Sequence, residues 1–94
     1  MALRLVVNFK AQPGKGQDFA DAFVAQAKIT YAEKGCEQYD LYRGTADPDT
    51  LVLLERWTTQ GDLDAHMAAM QARGGSVTSP FSAGPPTLER YEDE

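Results

Sequence analysis

Basic residues are in short supply in this sequence: nine Lys and Arg stand against fourteen Asp and Glu, for a net charge of −5. A phosphate backbone or an anionic bilayer calls for a basic face, so neither nucleic acid nor a membrane is an expected partner. Cys36 is the single cysteine, which excludes an intrachain disulfide and fits a reducing, cytoplasmic setting. His66 is the single histidine. A zinc or copper site would have to combine it with Cys36 and carboxylates that share no ligand spacing, so no metal is expected. No apolar run approaches the roughly 20 residues of a spanning helix. Met1 to Lys10 lacks the charged start and long apolar stretch of a secretory leader. Walker and dinucleotide fingerprints are missing too. Gly14-Lys15-Gly16 offers only half of a phosphate cradle and reads as a turn before a helix.

What remains is an ordinary globular composition, 43% hydrophobic and 24% charged over 94 residues. That is one domain, residues 1–94, with a core from about residue 3 to 91 and an acidic C-terminal tail. Leu3, Leu5, Val7 and Phe9 alternate with Arg4, Val6, Asn8 and Lys10, which predicts a strand over Ala2 to Ala11. Gln17 to Lys34 reads as a helix with Phe19, Phe23 and Ala27 at helical spacing and Gly35 closing it. Cys36 to Arg43 and Thr50 to Trp57 read as strands separated by the turn chemistry of Asp47-Pro48-Asp49. Gly61 to Ala72 reads as a second helix started by Thr59 and Asp62, with Leu63, Met67 and Met70 as its stripe. Gly74-Gly75 ends it, and a Pro/Ser/Gly-rich stretch leads to a last strand, Thr87 to Tyr91. The order βαββαβ is that of an α+β, ferredoxin-like fold with an antiparallel sheet covered on one face.

The third strand does not suit a sheet with one wet face. Leu51 to Leu54 is apolar on both sides, and an uncovered apolar patch is poorly tolerated in a monomer. Two sheets packed face to face remove the problem, which predicts a homodimer. With Asn8 turned to the helix side, alternation sends Leu3, Leu5, Val7 and Phe9 to the dimer face.

Asn8, Trp57 and His66 are the residues in unusual settings. Singly, each has an ordinary explanation: a strand-edge amide, a core anchor, a structural imidazole. Together they sit on three elements that this topology brings round one helix-covered cavity, walled by Phe19, Phe23, Leu63 and Met67. An apolar pocket holding an amide, an indole N–H and an imidazole has the make-up of a small-molecule site. An imidazole there can serve as a base at neutral pH.

Phe9-Lys10-Ala11, Pro13-Gly14-Lys15, Gly35-Cys36 with Tyr39, Asp47-Pro48, Leu54-Glu55-Arg56-Trp57 and His66-Met67 resemble the antibiotic biosynthesis monooxygenase domain. The likeness runs from Leu3 to Tyr91 and is most specific between Glu55 and His66. It implies a dimeric α+β barrel and an oxygenase that needs no cofactor, turning a phenol or quinol into a quinone with dioxygen. It also implies roles for Asn8 and Trp57, which match a strand-one Asn and a strand-three Trp that serve the reaction: both would donate to the phenol's oxyanion while His66 takes the proton. His66 matches a His whose role varies between members. Gly74-Gly75 shortens the second helix relative to that pattern. Two other functions stay open on the sequence: haem degradation, since related barrels place Asn, Trp and His around haem, and non-catalytic binding of a small ligand.

Overall fold

The computed structural model describes residues 2–93. Its elements are β1 (Ala2–Lys10), α1 (Gly16–Tyr31), β2 (Cys36–Arg43), β3 (Thr50–Trp57), α2 (Gln60–Ala72), a short 3-10 turn (Ser79–Phe81) and β4 (Thr87–Asp93). The strands form one antiparallel sheet in the order β2-β3-β1-β4. This is the α+β, ferredoxin-like arrangement expected. Two boundaries move by more than one residue: α1 ends at Tyr31, three residues early, and β4 runs on into the acidic end. No helix among the described residues is long and apolar enough to cross a membrane.

The two faces of the sheet are set by strand periodicity. On β1, Leu3, Leu5 and Val7 are buried. On β3, Leu51, Leu53, Glu55 and Trp57 are buried while the alternate residues are only partly covered. The helices lie over this buried set. Leu3, Leu5, Val7, Leu53, Trp57 and Tyr39 cluster with Phe23 of α1 and Leu63 of α2. A second cluster joins Ala11, Phe19 and Leu51. Each fully buried side chain of this size contributes roughly 1.5–3 kcal/mol.

The expected orientation of β1 is therefore reversed. Leu3, Leu5 and Val7 face the helices, and Asn8 shares the other phase with Arg4 and Val6. The physical reason is charge: Arg4 and Lys10 stand in the same phase as Asn8, and the helix-covered core takes the uncharged phase. The opposite face of the sheet centres on Val6, Val52 and Leu54, with Asn8 paired to Val52 and Val6 to Leu54. Asn8 Nδ2 reaches Glu89 Oε2 of β4 at 3.5 Å.

Local chemistry fixes the helix starts. Thr59 Oγ1 accepts from the Asp62 backbone N–H at 3.1 Å, capping α2 as its sequence predicts. Ahead of α1, the backbone N–H groups of Gly14 and Gly16 both donate to the Asp49 carboxylate at 2.9 Å. The half-cradle is thus filled by the protein's own anion. A Cβ at Gly16 would overlap the Pro48 carbonyl, so only glycine lets β3's leading loop approach so closely.

Candidate active site

Between the buried face of the sheet, both helices and the segment after α2 lies a cavity of about 260 Å³. Leu5, Val7 and Phe9 of β1, Phe23 of α1, Leu53 of β3 and Met67 of α2 give it apolar walls. The α2 helix ends at Ala72, and Gly74 and Gly75 follow at φ of 95° and 94°. The chain beyond these glycines supplies the missing wall, since Ser76, Thr78, Pro86 and Leu88 line the same space. Gln26 holds that segment in place: its Oε1 accepts from Ser76 Oγ and the Val77 N–H, both at 3.4 Å.

Besides Ser76 and Thr78, four polar residues from four elements line the cavity: Gln26, Tyr39, Glu55 and His66. Gln26 Nε2 donates to the Tyr39 hydroxyl at 2.7 Å. Tyr39 stacks on Phe23, with ring centres 5.1 Å apart. His66 is 2% exposed. Its ring lies 4.7 Å from the Trp57 ring at 31° and meets the edge of Tyr39 at 5.5 Å. Its Nδ1 is paired with Glu33 Oε1 at 2.6 Å, and Arg73 stands 3.9 Å from the other oxygen of Glu33. The imidazole is therefore held by a tilted ring on one side, an edge-on ring on another and a carboxylate at one nitrogen.

Glu55 is 6% exposed, and its Oε1 accepts from the Trp57 indole N–H at 2.9 Å. Burial pushes its carboxyl above the usual carboxylate range, against the pull of the Trp57 N–H and the nearby His66. Burial also raises the Tyr39 phenol, and the Glu55 charge adds to that rise. Among the described residues, no three His, Cys, Asp or Glu side chains gather where they could hold a metal ion.

Of the expected site residues, His66, Phe23 and Met67 do line the cavity. Asn8 does not, because it projects from the other face of the sheet. Trp57 is wholly buried behind the cavity, and its one N–H is already donated to Glu55. The pair of oxyanion donors expected from Asn8 and Trp57 is therefore not assembled in this structure. Phe19 packs with Ala11 and Leu51 in the second cluster, with its ring 5.0 Å from Phe9. Leu63 sits in the main core. Neither forms cavity wall. Glu55, Tyr39 and Gln26 are the polar residues that sequence reasoning passed over. The signal was present for one of them: Glu55 falls in step with Leu51, Leu53 and Trp57, the phase that becomes buried.

With this geometry in place, comparison with known proteins gives a consistent answer. The family model for antibiotic biosynthesis monooxygenase matches residues 2–74. The chain belongs to that family. It is 28% identical over 75 residues to the Bacillus subtilis (strain 168) protein named "Putative monooxygenase YcnE", a match covering 74% of this chain and 79% of that one. A conserved protein from Methanosarcina mazei Go1 has the same fold at a TM-score of 0.88 and 25% identity, covering 100% of this chain and 94% of that chain. Rv0793 from Mycobacterium tuberculosis superposes at a TM-score of 0.82 and 23% identity, over 100% of this chain and 96% of its own. As a member of the antibiotic biosynthesis monooxygenase family, the chain is associated with monooxygenase-type chemistry. The family match ends before Ser76, so part of the cavity wall lies beyond it.

Proposed function

We propose that this protein is a cofactor-independent monooxygenase that oxidises a small phenol or quinol with dioxygen, acting as a homodimer in the cytoplasm. The observation that carries the reading is the cavity: apolar walls enclosing a buried carboxyl and a buried imidazole. Triplet dioxygen reacts slowly with neutral organic molecules, whereas an electron-rich phenolate can itself supply the electron. The protein's tasks are then to accept the hydroxyl proton and to keep water from the reacting ring. The reaction balances without an added reductant: a phenol with one free ring position plus dioxygen gives a quinone plus water. One oxygen atom enters the ring. The other leaves as water with the hydroxyl hydrogen and the ring hydrogen.

Size favours this reading over haem degradation. Pockets for drug-sized ligands run to roughly 300–1,000 Å³, and this one, at about 260 Å³, suits one or two fused rings rather than a macrocycle. The dimer is supported by Val6, Val52 and Leu54, which form an apolar centre on the sheet face that no helix covers.

Oxygen uptake measured against a panel of phenols, naphthols and quinols tests the proposal. The expected result is uptake matched one to one by quinone, with one atom of labelled dioxygen retained in the product. Uptake no faster than in buffer across the whole panel would leave only small-ligand binding.

A further inference from the structure

Resting on that reading, we propose that Glu55 is the catalytic residue that accepts the substrate's hydroxyl proton, and that it makes the cavity selective for uncharged hydroxyarenes.

The argument is first one of charge. Among the described residues, no Lys or Arg lines the cavity. A phenolate formed there beside an ionised Glu55 would place two negative charges in an apolar space, which low dielectric strongly penalises. Transfer of the proton onto Glu55 keeps the count at one negative charge before and after the step. The substrate O–H bond breaks, an O–H bond forms on the carboxyl, and the electron pair stays on the phenol oxygen. That phenolate then faces dioxygen.

The second argument is geometric. Trp57 occupies one lone pair of Glu55 Oε1, which fixes the carboxyl against the strand and leaves its remaining acceptor capacity unassigned. His66, the alternative acceptor, has its Nδ1 against Glu33, which leaves Nε2 to take a proton, but a transfer there would leave Glu55 ionised beside the phenolate. The charged and titratable groups that act on Glu55 are His66 from α2 and, from β2, Tyr39 and Cys36. From β1 its ladder partner is the apolar Leu5. Arg90 of β4, opposite Leu5, is exposed. None of these brings a permanent positive charge to the cavity. A carboxylated or phosphorylated ligand would meet the same repulsion as a phenolate, with no proton to surrender.

The test uses the whole chain and 4-nitrophenol, whose neutral and ionised forms differ in absorption, at a pH below the probe's own ionisation. Wild type should bind it as the phenolate without releasing a proton to the buffer. Glu55→Gln, nearly the same shape, should bind it neutral, and its turnover on an oxidisable naphthol should fall by roughly 10²–10⁴-fold. His66→Gln should still ionise the probe. Retention of the phenolate band in Glu55→Gln, or its loss in His66→Gln alone, overturns the assignment. So does a wild type that binds only the neutral phenol or does not bind the probe. Circular dichroism of each variant separates these outcomes from misfolding, and Glu55→Asp, which keeps the carboxyl, should recover part of the turnover. A protein that ionises the probe through Glu55 yet consumes no dioxygen with any panel phenol sinks the oxygenase reading alone. Oxygen consumption unchanged in Glu55→Gln sinks only the role of Glu55.

Discussion

The Trp57 indole N–H donates to the carboxylate of Glu55, two residues back on the same strand, across 2.9 Å with both side chains buried. Residues at i and i+2 share one face of a strand, so this bond needs no tertiary adjustment once β3 forms. It gives a buried carboxylate its one fixed donor, and the indole has no second N–H to offer a ligand.

Burial of that carboxyl, which outweighs the Trp57 bond, has a consequence for stability that depends on pH. Glu55 keeps its proton to higher pH in the folded chain than in the unfolded one, where its ordinary value is 4.5. Its contribution is therefore full below that ordinary value and is lost as pH rises through the raised one. Wild type should lose stability over this interval relative to Glu55→Gln. Trp57→Phe should destabilise further, by about 1–3 kcal/mol for the orphaned acceptor, and more at pH 8 than at pH 5. Urea denaturation of the three proteins at both pH values checks the sign.

Asn8 and His66 should respond very differently to alanine. Asn8 lies on the sheet face away from the cavity, beside Val52 in the proposed dimer interface, so Asn8→Ala should change the turnover of the dimer by no more than about twofold. His66→Ala removes a ring packed against Trp57 and Tyr39 and should cost about 2–4 kcal/mol. Thermal melts beside steady-state rates separate the two. A large rate loss in Asn8→Ala would mean that the outer face takes part in the reaction.

Cys36 should be a sluggish nucleophile. Burial, followed by the charges of Glu55, Glu33 and Asp40, pushes its thiol up to about 11. At pH 8 only roughly one thiol in a thousand is then ionised, against about a quarter for a free cysteine. Alkylation by iodoacetamide, followed by mass spectrometry, should be correspondingly slow, and Cys36→Ser should keep its turnover.

The outer sheet face gives the prediction for assembly. Sedimentation at micromolar concentration should return the mass of two chains, and Val52→Glu should return one. Val52 sits in the middle of that face, opposite Asn8, where a carboxylate in a packed interface has no partner. A wild type that sediments as a monomer overturns the pairing of sheets.

The elements themselves were legible because their periodicities are strong and their ends are marked. Thr50–Trp57 and Cys36–Arg43 run as their patterns say, and the Thr59 cap forms. What periodicity does not say is which of two phases the helices cover. On β1 the helices cover the phase that lacks Arg4 and Lys10, so these two cations, and not the amide of Asn8, mark which face is outermost. A lone carboxylate among leucines is likewise easily taken for the polar beat of a strand. Glu55 is instead in step with the core, and only the ladder shows that its neighbours in space are Leu5, Tyr39 and Trp57. Tyr39 and Gln26 meet across thirteen residues through a helix-to-strand contact that no local pattern encodes.

The cavity has two origins along the chain. Its chemistry, Tyr39, Glu55 and His66, lies within the stretch that matches the family, while Ser76, Thr78, Pro86 and Leu88 lie outside it. The later stretch is joined to the rest by the Gln26 amide, by a few loop hydrogen bonds to Lys10 and Gln12, and by one strand edge on β1. The first stretch thus carries the proton handling and most of the walls, and the second only one side of the ligand's space. Evolution could exchange the second while leaving the first intact, and so could an engineer grafting residues 76–88 between relatives to change what the same carboxyl meets.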